Sequence, residues 1–358
     1  MIFEFNHGES QKINCTDMKH FLKIISKDKN KIDNYLKEWS SIKKVIHEYE
    51  YVYSSSNIKK NVSSILPISR SYFKLTEIIN KHNLFNLKDK IKCFSMAEAP
   101  GGFIESLLDN KDKINKIYGI TLLSEDSRVP FWNRKIKNNK LIELIYGSNN
   151  NGDLIDINNL LSLVKYFRNN KIHLITADGG FDCTNDYNNQ EKYSLPLIYG
   201  EIFLALNVQS KNGVFICKIF DLFLKETIKL IYILILSYDK VYIHKPSISR
   251  ISNSEKYLVC IGFKGYNKDI INILIRSFNN YDIDIQIDEN FKKQMEAFNK
   301  QYTEKQSKQI NLGIELIQKN LIKHKTTDNQ INNSIQWCKE NNIPINDSCY
   351  FLNRTSSN

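Results

Sequence analysis

The segment Cys93-Phe94-Ser95-Met96-Ala97-Glu98-Ala99-Pro100-Gly101-Gly102-Phe103-Ile104-Glu105 constrains this chain more than any other. It opens as a short apolar strand, breaks at Pro100-Gly101-Gly102, and resumes as a helix from Phe103 to Leu108. A strand, a tight glycine turn and a helix N-terminus make the ligand-binding corner of an open α/β sheet. Gly101 and Gly102 are expected to let the backbone approach a ligand and take positive φ without strain. The corner lacks both G-x-x-x-x-G-K-[ST] and G-x-G-x-x-G, which speaks against a nucleotide-phosphate cradle. Glu98, at the strand's C-terminal end, would repel a pyrophosphate. It suits a ligand carrying an ammonium, a sulfonium or ribose hydroxyls, and S-adenosylmethionine has all three.

The rest of the chain supplies the alternation that such a corner needs. Ile117–Leu123, Leu141–Tyr146, Lys171–Asp178 and Gly213–Asp221 read as further strands, and two more fall within 240–260. Ile157–Phe167 and Ser194–Gln209 read as helices between them, which predicts a mostly parallel sheet. The apolar run Leu230–Leu236 is far shorter than the ~18 residues of a membrane span and reads as a buried helix. Residues 1–65 are polar and mostly helical in pattern, and 266–358 read as a mainly helical extension. The expected organisation is therefore an N-terminal extension (1–65), an α/β domain (66–265) and a C-terminal extension (266–358).

Two positions stand out chemically. Asp178 ends a strand at a second glycine corner, Asp178-Gly179-Gly180. Lys218 lies inside the apolar run of a strand that reads as buried on both faces, where a charged amine is costly. It must either meet carboxylates at the strand end or serve as a perturbed, reactive amine. The net charge of +11 favours a polyanionic partner. Seven scattered cysteines (15, 93, 183, 217, 260, 338, 349), with no C-x-x-C, fit reduced thiols in an intracellular protein. Seven dispersed histidines predict no structural metal.

The Cys93–Glu105 stretch resembles the cofactor-binding motif of the FtsJ-like family of RNA ribose 2′-O-methyltransferases. The resemblance extends over 69–263: Ser69-Arg70-Ser71-x-x-Lys74-Leu75, Asp178, Lys218-Ile219-Phe220-Asp221 and Glu255 stand in the order of the family's Lys-Asp-Lys-Glu tetrad. Lys245-Pro246-x-x-Ser249-Arg250 followed by Ser254-Glu255-x-Tyr257 is similar, more narrowly, to the mRNA cap-specific branch. The resemblance implies a Rossmann-like fold of about seven strands with helices on both faces. It implies S-adenosylmethionine as cofactor, contacted by Glu98, Ala99, Pro100, Gly101, Gly102, Phe103, Thr121, Asp153 and Asp178. Thr121 and Leu122 stand where many such sheets place an acid, which leaves the ribose contact open. It implies capped mRNA as substrate, with Lys218 as general base. Burial and Lys74 would lower the Lys218 pKa, while Asp178 and Glu255 pull the other way. Arg70, Ser71, Lys245, Ser249 and Arg250 are the expected RNA contacts, as donors to phosphate. Ribosomal or transfer RNA as substrate, and a non-catalytic RNA-binding subunit, are the competing readings. A soluble, cytoplasmic setting, such as that of a large DNA virus, and other capping or transcription proteins as partners complete the expectations.

Overall fold

The computed structural model describes residues 1–86, 89–181, 186–321 and 327–352; Cys183 lies outside them. Its strands are β1 (Ile2–Glu4), β2 (Lys12–Ile13), β3 (Ile91–Met96), β4 (Ile114–Ile120), β5 (Ile142–Leu144), β6 (Ile172–Ala177), β7 (Gln209–Ile219), β8 (Tyr238–His244), β9 (Lys256–Phe263) and β10 (Ile287–Asp288). The helices are α1 (Lys19–Ile32), α2 (Leu36–Val45), α3 (Ser71–His82), α4 (Gly102–Leu108), α5 (Arg134–Lys137), α6 (Ile157–Tyr166), α7 (Gln190–Val208), α8 (Lys225–Ser237), α9 (Lys268–Ser277), α10 (Glu289–Gln318) and α11 (Asp328–Glu340).

Eight strands form one sheet in the order β1-β8-β9-β7-β6-β3-β4-β5. The five from β5 to β7 run parallel, and β9, β8 and β1 are antiparallel. Successive residues of the central strands enter different cores. Phe94, Ile175, Phe215 and Cys217 pack on one side with residues of α6, α7 and α8. Cys93, Leu174 and Ile216 pack on the other with α3 and α4. Helices thus cover both faces, which is why β3, β6 and β7 read as continuous apolar runs. Strand order reverses between β3 and β6, and a crevice at that point is where open α/β sheets bind ligands. This is the Rossmann-like arrangement expected.

The N-terminal segment departs from the helical reading. Ile2-Phe3-Glu4 pairs antiparallel with Tyr242–His244 as an eighth, edge strand. The reason lies at the far end of the chain: Phe3 meets Phe298, and Phe5 meets Phe291, both on α10. Likewise β2 pairs with β10. The two extensions also share a core with the central domain, in which Val52 and Val62 join Tyr72, Phe73, Ile248, Trp337 and Ile343. Among the described residues, no helix is long and apolar enough to cross a membrane.

Candidate active site

The chain leaves β3 through a strained corner. Ala97 adopts φ 50°, in a region usually left to glycine, and Gly101 follows at φ 118°. Both glycines are needed for packing. A Cβ on Gly101 would stand 2.5 Å from Ile136, and one on Gly102 would stand 2.2 Å from the hydroxyls of both Ser69 and Ser71. The glycine pair seats α4 against the start of α3, where the sequence placed a close approach to ligand. Glu98 turns inward too. It is buried, and its carboxylate accepts the N–H of Phe103 at 2.5 Å and of Ile104 at 3.4 Å, capping α4.

The ligand space opens beside this corner, as a cavity of about 730 Å³. Of the residues read as cofactor contacts, Ala99, Thr121, Asp153 and Asp178 line it, and Glu98, Pro100, Gly101, Gly102 and Phe103 do not. Gly152, Gly179 and Gly180 add bare backbone. At φ +70°, Gly152 presses on the end of β4, so that a Cβ there would lie 1.9 Å from the Thr121 carbonyl oxygen. A Cβ on Gly180 would lie 3.1 Å from Lys218 Nζ. Leu122, Leu154 and Ile155 supply apolar wall that the sequence reading did not assign.

The four tetrad positions, scattered over 182 residues of sequence, form two ion pairs; Asp178, Lys218 and Glu255 line the cavity, and Lys74 reaches it through Glu255. Lys74 Nζ lies 2.8 Å from Glu255 Oε2, and Lys218 Nζ lies 3.6 Å from Asp178 Oδ1. Lys218 also donates to the Asp178 carbonyl oxygen at 3.2 Å. Tyr257, which follows Glu255 on β9, donates its hydroxyl to Asp178 Oδ1 at 2.8 Å and so fixes the carboxylate. The Ser249 hydroxyl donates to Glu255 Oε1 at 2.9 Å, and Lys245 Nζ donates to the Glu255 carbonyl oxygen at 2.6 Å.

Burial and charge compete at each group. Burial disfavours an ionised Glu255, yet Lys74, Lys218 and Lys245 outweigh it and hold the carboxyl well below its usual range. Burial alone would lower the Lys218 pKa, but Asp178, Glu255 and Glu201 raise it above the ordinary lysine value. Of the opposing influences expected from the sequence, the carboxylates outweigh burial. Glu201, on α7 beneath Gly179, is buried and pushed up to about 8, and its Oε1 has no hydrogen-bond partner among the described residues.

The expected phosphate donors are mostly engaged by the protein. Arg70 donates to the carbonyls of Tyr53 and Ile248 and reaches Glu50 at 3.4 Å. The Ser71 hydroxyl pairs with that of Ser69 behind Gly102. Lys245 and Ser249 are buried and directed at the Asn253–Glu255 segment. Arg250 alone of the five lines the cavity, and it too is held, by Glu50 at 2.8 and 2.9 Å. The partner of both arginines, Glu50, comes from the N-terminal extension, and nothing local in the sequence announces it.

Residues 67–263 match the model of the FtsJ-like methyltransferase family. The cap-specific mRNA (nucleoside-2′-O-)-methyltransferase 1A of Caenorhabditis briggsae is 33% identical over 235 residues, covering 62% of this chain and 26% of that protein. The human cap-specific mRNA (nucleoside-2′-O-)-methyltransferase 1 is 32% identical over 203 residues, covering 52% and 24%. A protein named as the inactive 1B form, also from C. briggsae, is 32% identical over 224 residues, covering 60% and 25%. The chain thus spans about a quarter of the length of these curated relatives. Matched by the family model over more than half its length, with the fold that its sequence led us to expect, the chain belongs to the FtsJ-like methyltransferase family.

Proposed function

We propose that this chain transfers a methyl group from S-adenosylmethionine to the ribose 2′-OH of a 5′-proximal nucleotide of capped mRNA. One observation carries the reading: Lys218, bracketed by Asp178 and close to the Lys74–Glu255 pair, stands at the edge of a cavity that begins at the β3 corner. The similarity to proteins named for cap methylation supplies the substrate class. The cavity suits the cofactor. Its glycines leave room that side chains would fill, its walls at Ala97, Ala99 and Leu154 are apolar, and Asp153 and Asp178 add carboxylates for hydroxyls and a cation. When bound, S-adenosylmethionine supplies the methyl group, a neutral thioether leaving group and a positive charge that lowers the proton affinity of nearby amines.

The residues of the chain then do three things. Tyr257 orients Asp178, and Asp178 with its own carbonyl holds Lys218 Nζ at the strand end. Lys74, fixed by Glu255, places a second positive charge beside the same point. Lys218 Nζ, once neutral, takes the proton of the 2′-hydroxyl as the oxygen becomes the nucleophile. Holding hydroxyl and methyl in line contributes the larger part of the rate.

Two short RNAs of one sequence, one capped and one with a 5′-triphosphate, incubated with labelled S-adenosylmethionine, test this. A 2′-O-methyl group at the first or second nucleotide of the capped RNA alone is expected. Transfer to both RNAs, or only to structured ribosomal or transfer RNA, overturns the cap assignment. Cofactor binding without transfer to any RNA overturns the catalytic one, in line with the inactive relative.

A further inference from the structure

Away from the β3 corner, the cavity is walled by residues outside the stretch that matches the family model. Lys29 and Ile32 come from α1, Trp39 and Lys43 from α2, and Gln306 from α10, with Arg250 closing the loop side. Trp39 and Lys43 are four apart on one helix, so they share a face one turn apart. Both are half-buried and both line the cavity. Trp39 packs against α10 at Gly313, where a Cβ would lie 2.6 Å from its ring.

Charge marks this end as made for an anion. Lys29 is neutralised by Asp221 at 2.7 Å, and Arg250 by Glu50. Lys43 has no such carboxylate among the described residues. Its amine is pushed below the usual lysine range by burial, then by Arg250 and Lys44, and the already paired Glu50 offsets this least. A cation among cations, one helical turn from a half-buried indole, fits a group that is at once planar and anionic. A nucleotide of single-stranded RNA is such a group: its base stacks on an aromatic ring while its phosphate meets an ammonium.

We propose that Trp39 and Lys43 form a nucleotide subsite on the N-terminal extension, taking a base and phosphate of the RNA body next to the nucleotide presented to Lys218. The inference rests on the proposed reading of the cavity as an RNA methyltransferase site. It adds α2 to the RNA contacts expected at Arg70, Ser71 and the Lys245–Arg250 loop.

Binding, measured apart from turnover, tests it. The full chain is titrated into two fluorescein-labelled 12-nucleotide RNAs, one capped and one 5′-triphosphate, and anisotropy is read. Trp39→Leu and Lys43→Glu are expected to weaken both RNAs about tenfold, within the range of one stacked base. Affinity for S-adenosylmethionine should be unchanged. Lys43→Ala should lower the salt dependence by about 0.7 in log–log slope, the value for one phosphate contact on a single strand. Lys23→Glu, on an exposed face of α1 outside the cavity, is the charge-matched control. Lys43→Glu weakening RNA no more than Lys23→Glu overturns the subsite, as does an unchanged salt slope in Lys43→Ala. A loss confined to the capped RNA also overturns it, since the occupant would then be the cap guanine. If Trp39→Leu fails to fold, the two Lys43 variants decide. If the wild type binds RNA, the variants lose it and no RNA is methylated, the subsite stands and the proposed reaction falls.

Discussion

Lys218 and Lys245 begin from the same position. Each lies at the C-terminal end of a strand that pairs antiparallel with β9, Lys218 on β7 and Lys245 just past β8, and each turns its amine toward a tetrad carboxylate residue, Asp178 or Glu255. Their environments differ in one respect. Lys218 faces the carboxylates of Asp178, Glu255 and Glu201, which hold its amine above the ordinary lysine range. Lys245 donates to the carbonyls of Asn253 at 3.0 Å and Glu255 at 2.6 Å; burial pushes its amine well below that range, Glu255 and Asp221 pull it up, and Lys256 and Lys74 push it further down. Burial acts on both in the same direction, so the balance of neighbouring charges separates them. Lys245 pins a loop, donating to Asn253 and Glu255, whereas Lys218 stands at the cavity, where it can give up a proton and then take one.

The largest effect should come from removing the lysine that lines the cavity. Lys218→Ala is expected to reduce methyl transfer by about 10³-fold or more, toward the upper end for loss of a general base. Cofactor affinity and thermal stability should change little. Turnover kept within tenfold would end the general-base assignment. Lys245→Met is expected to show the opposite balance. It removes a buried donor to the Glu255 carbonyl and to Asn253, at a cost of about 1–3 kcal/mol, so the melting temperature should drop while transfer falls only about tenfold. Equal losses of rate in the two variants would erase the distinction between them.

Much of this could be read from the chain before folding. The strands were legible because β3, β6 and β7 are buried on both faces and so read as apolar runs. Asp178 and Lys218 stood out because each breaks such a run at a strand end, and Lys74 and Glu255 followed from their family-like contexts. Tyr257 stood in the quoted motif, but its hold on Asp178 depends on the β7–β9 register, which puts Lys218 opposite Tyr257. Other features depend on partners far away in sequence. Arg70 and Arg250 meet Glu50 from the N-terminal extension, a partner no local pattern gives. Glu98 accepts the first N–H groups of α4, a bond that depends on how the chain folds back after the glycine corner. The first strand was invisible because Phe3 and Phe5 find their partners almost 300 residues later, on α10.

Lys256 extends the comparison to pH. Its amine is buried beside the Tyr302 ring at 4.0 Å and donates to the Ser254 carbonyl; burial lowers its pKa to about 8, against the pull of Asp221. The unfolded chain keeps that proton up to about pH 10.4. Between pH 8 and 10 the unfolded state therefore binds more protons, and stability rises with pH. Equivalently, the contribution is complete above the unfolded pKa and lost as pH falls through about 8. Lys256→Met should remove this slope, so that denaturation midpoints at pH 7.5 and 9.5 differ less in the variant than in the wild type. An unchanged difference would mean that Lys256 stays charged and belongs with Lys218.

The smallest effect tests how far the C-terminal extension shares in the site. Tyr302, on α10, donates its hydroxyl to the Asn253 carbonyl at 2.7 Å, and Gln306, one turn later, donates to that of Ser252 at 3.1 Å. These bonds tie α10 to the loop that carries Glu255, while the Tyr302 ring lies under Lys256 and within 5.9 Å of Lys245. Tyr302→Phe keeps the ring and loses one buried hydrogen bond, worth about 1 kcal/mol. The expected result is a small fall in melting temperature, a severalfold fall in kcat and an unchanged KM for the cofactor. Tyr302→Leu also removes the aromatic face and should lower kcat further. If Tyr302→Phe were as inactive as Lys218→Ala, the position of the loop, and not the amine of Lys218, would set the rate. The contrast between the charged lysine and the pinned one would then describe stability alone.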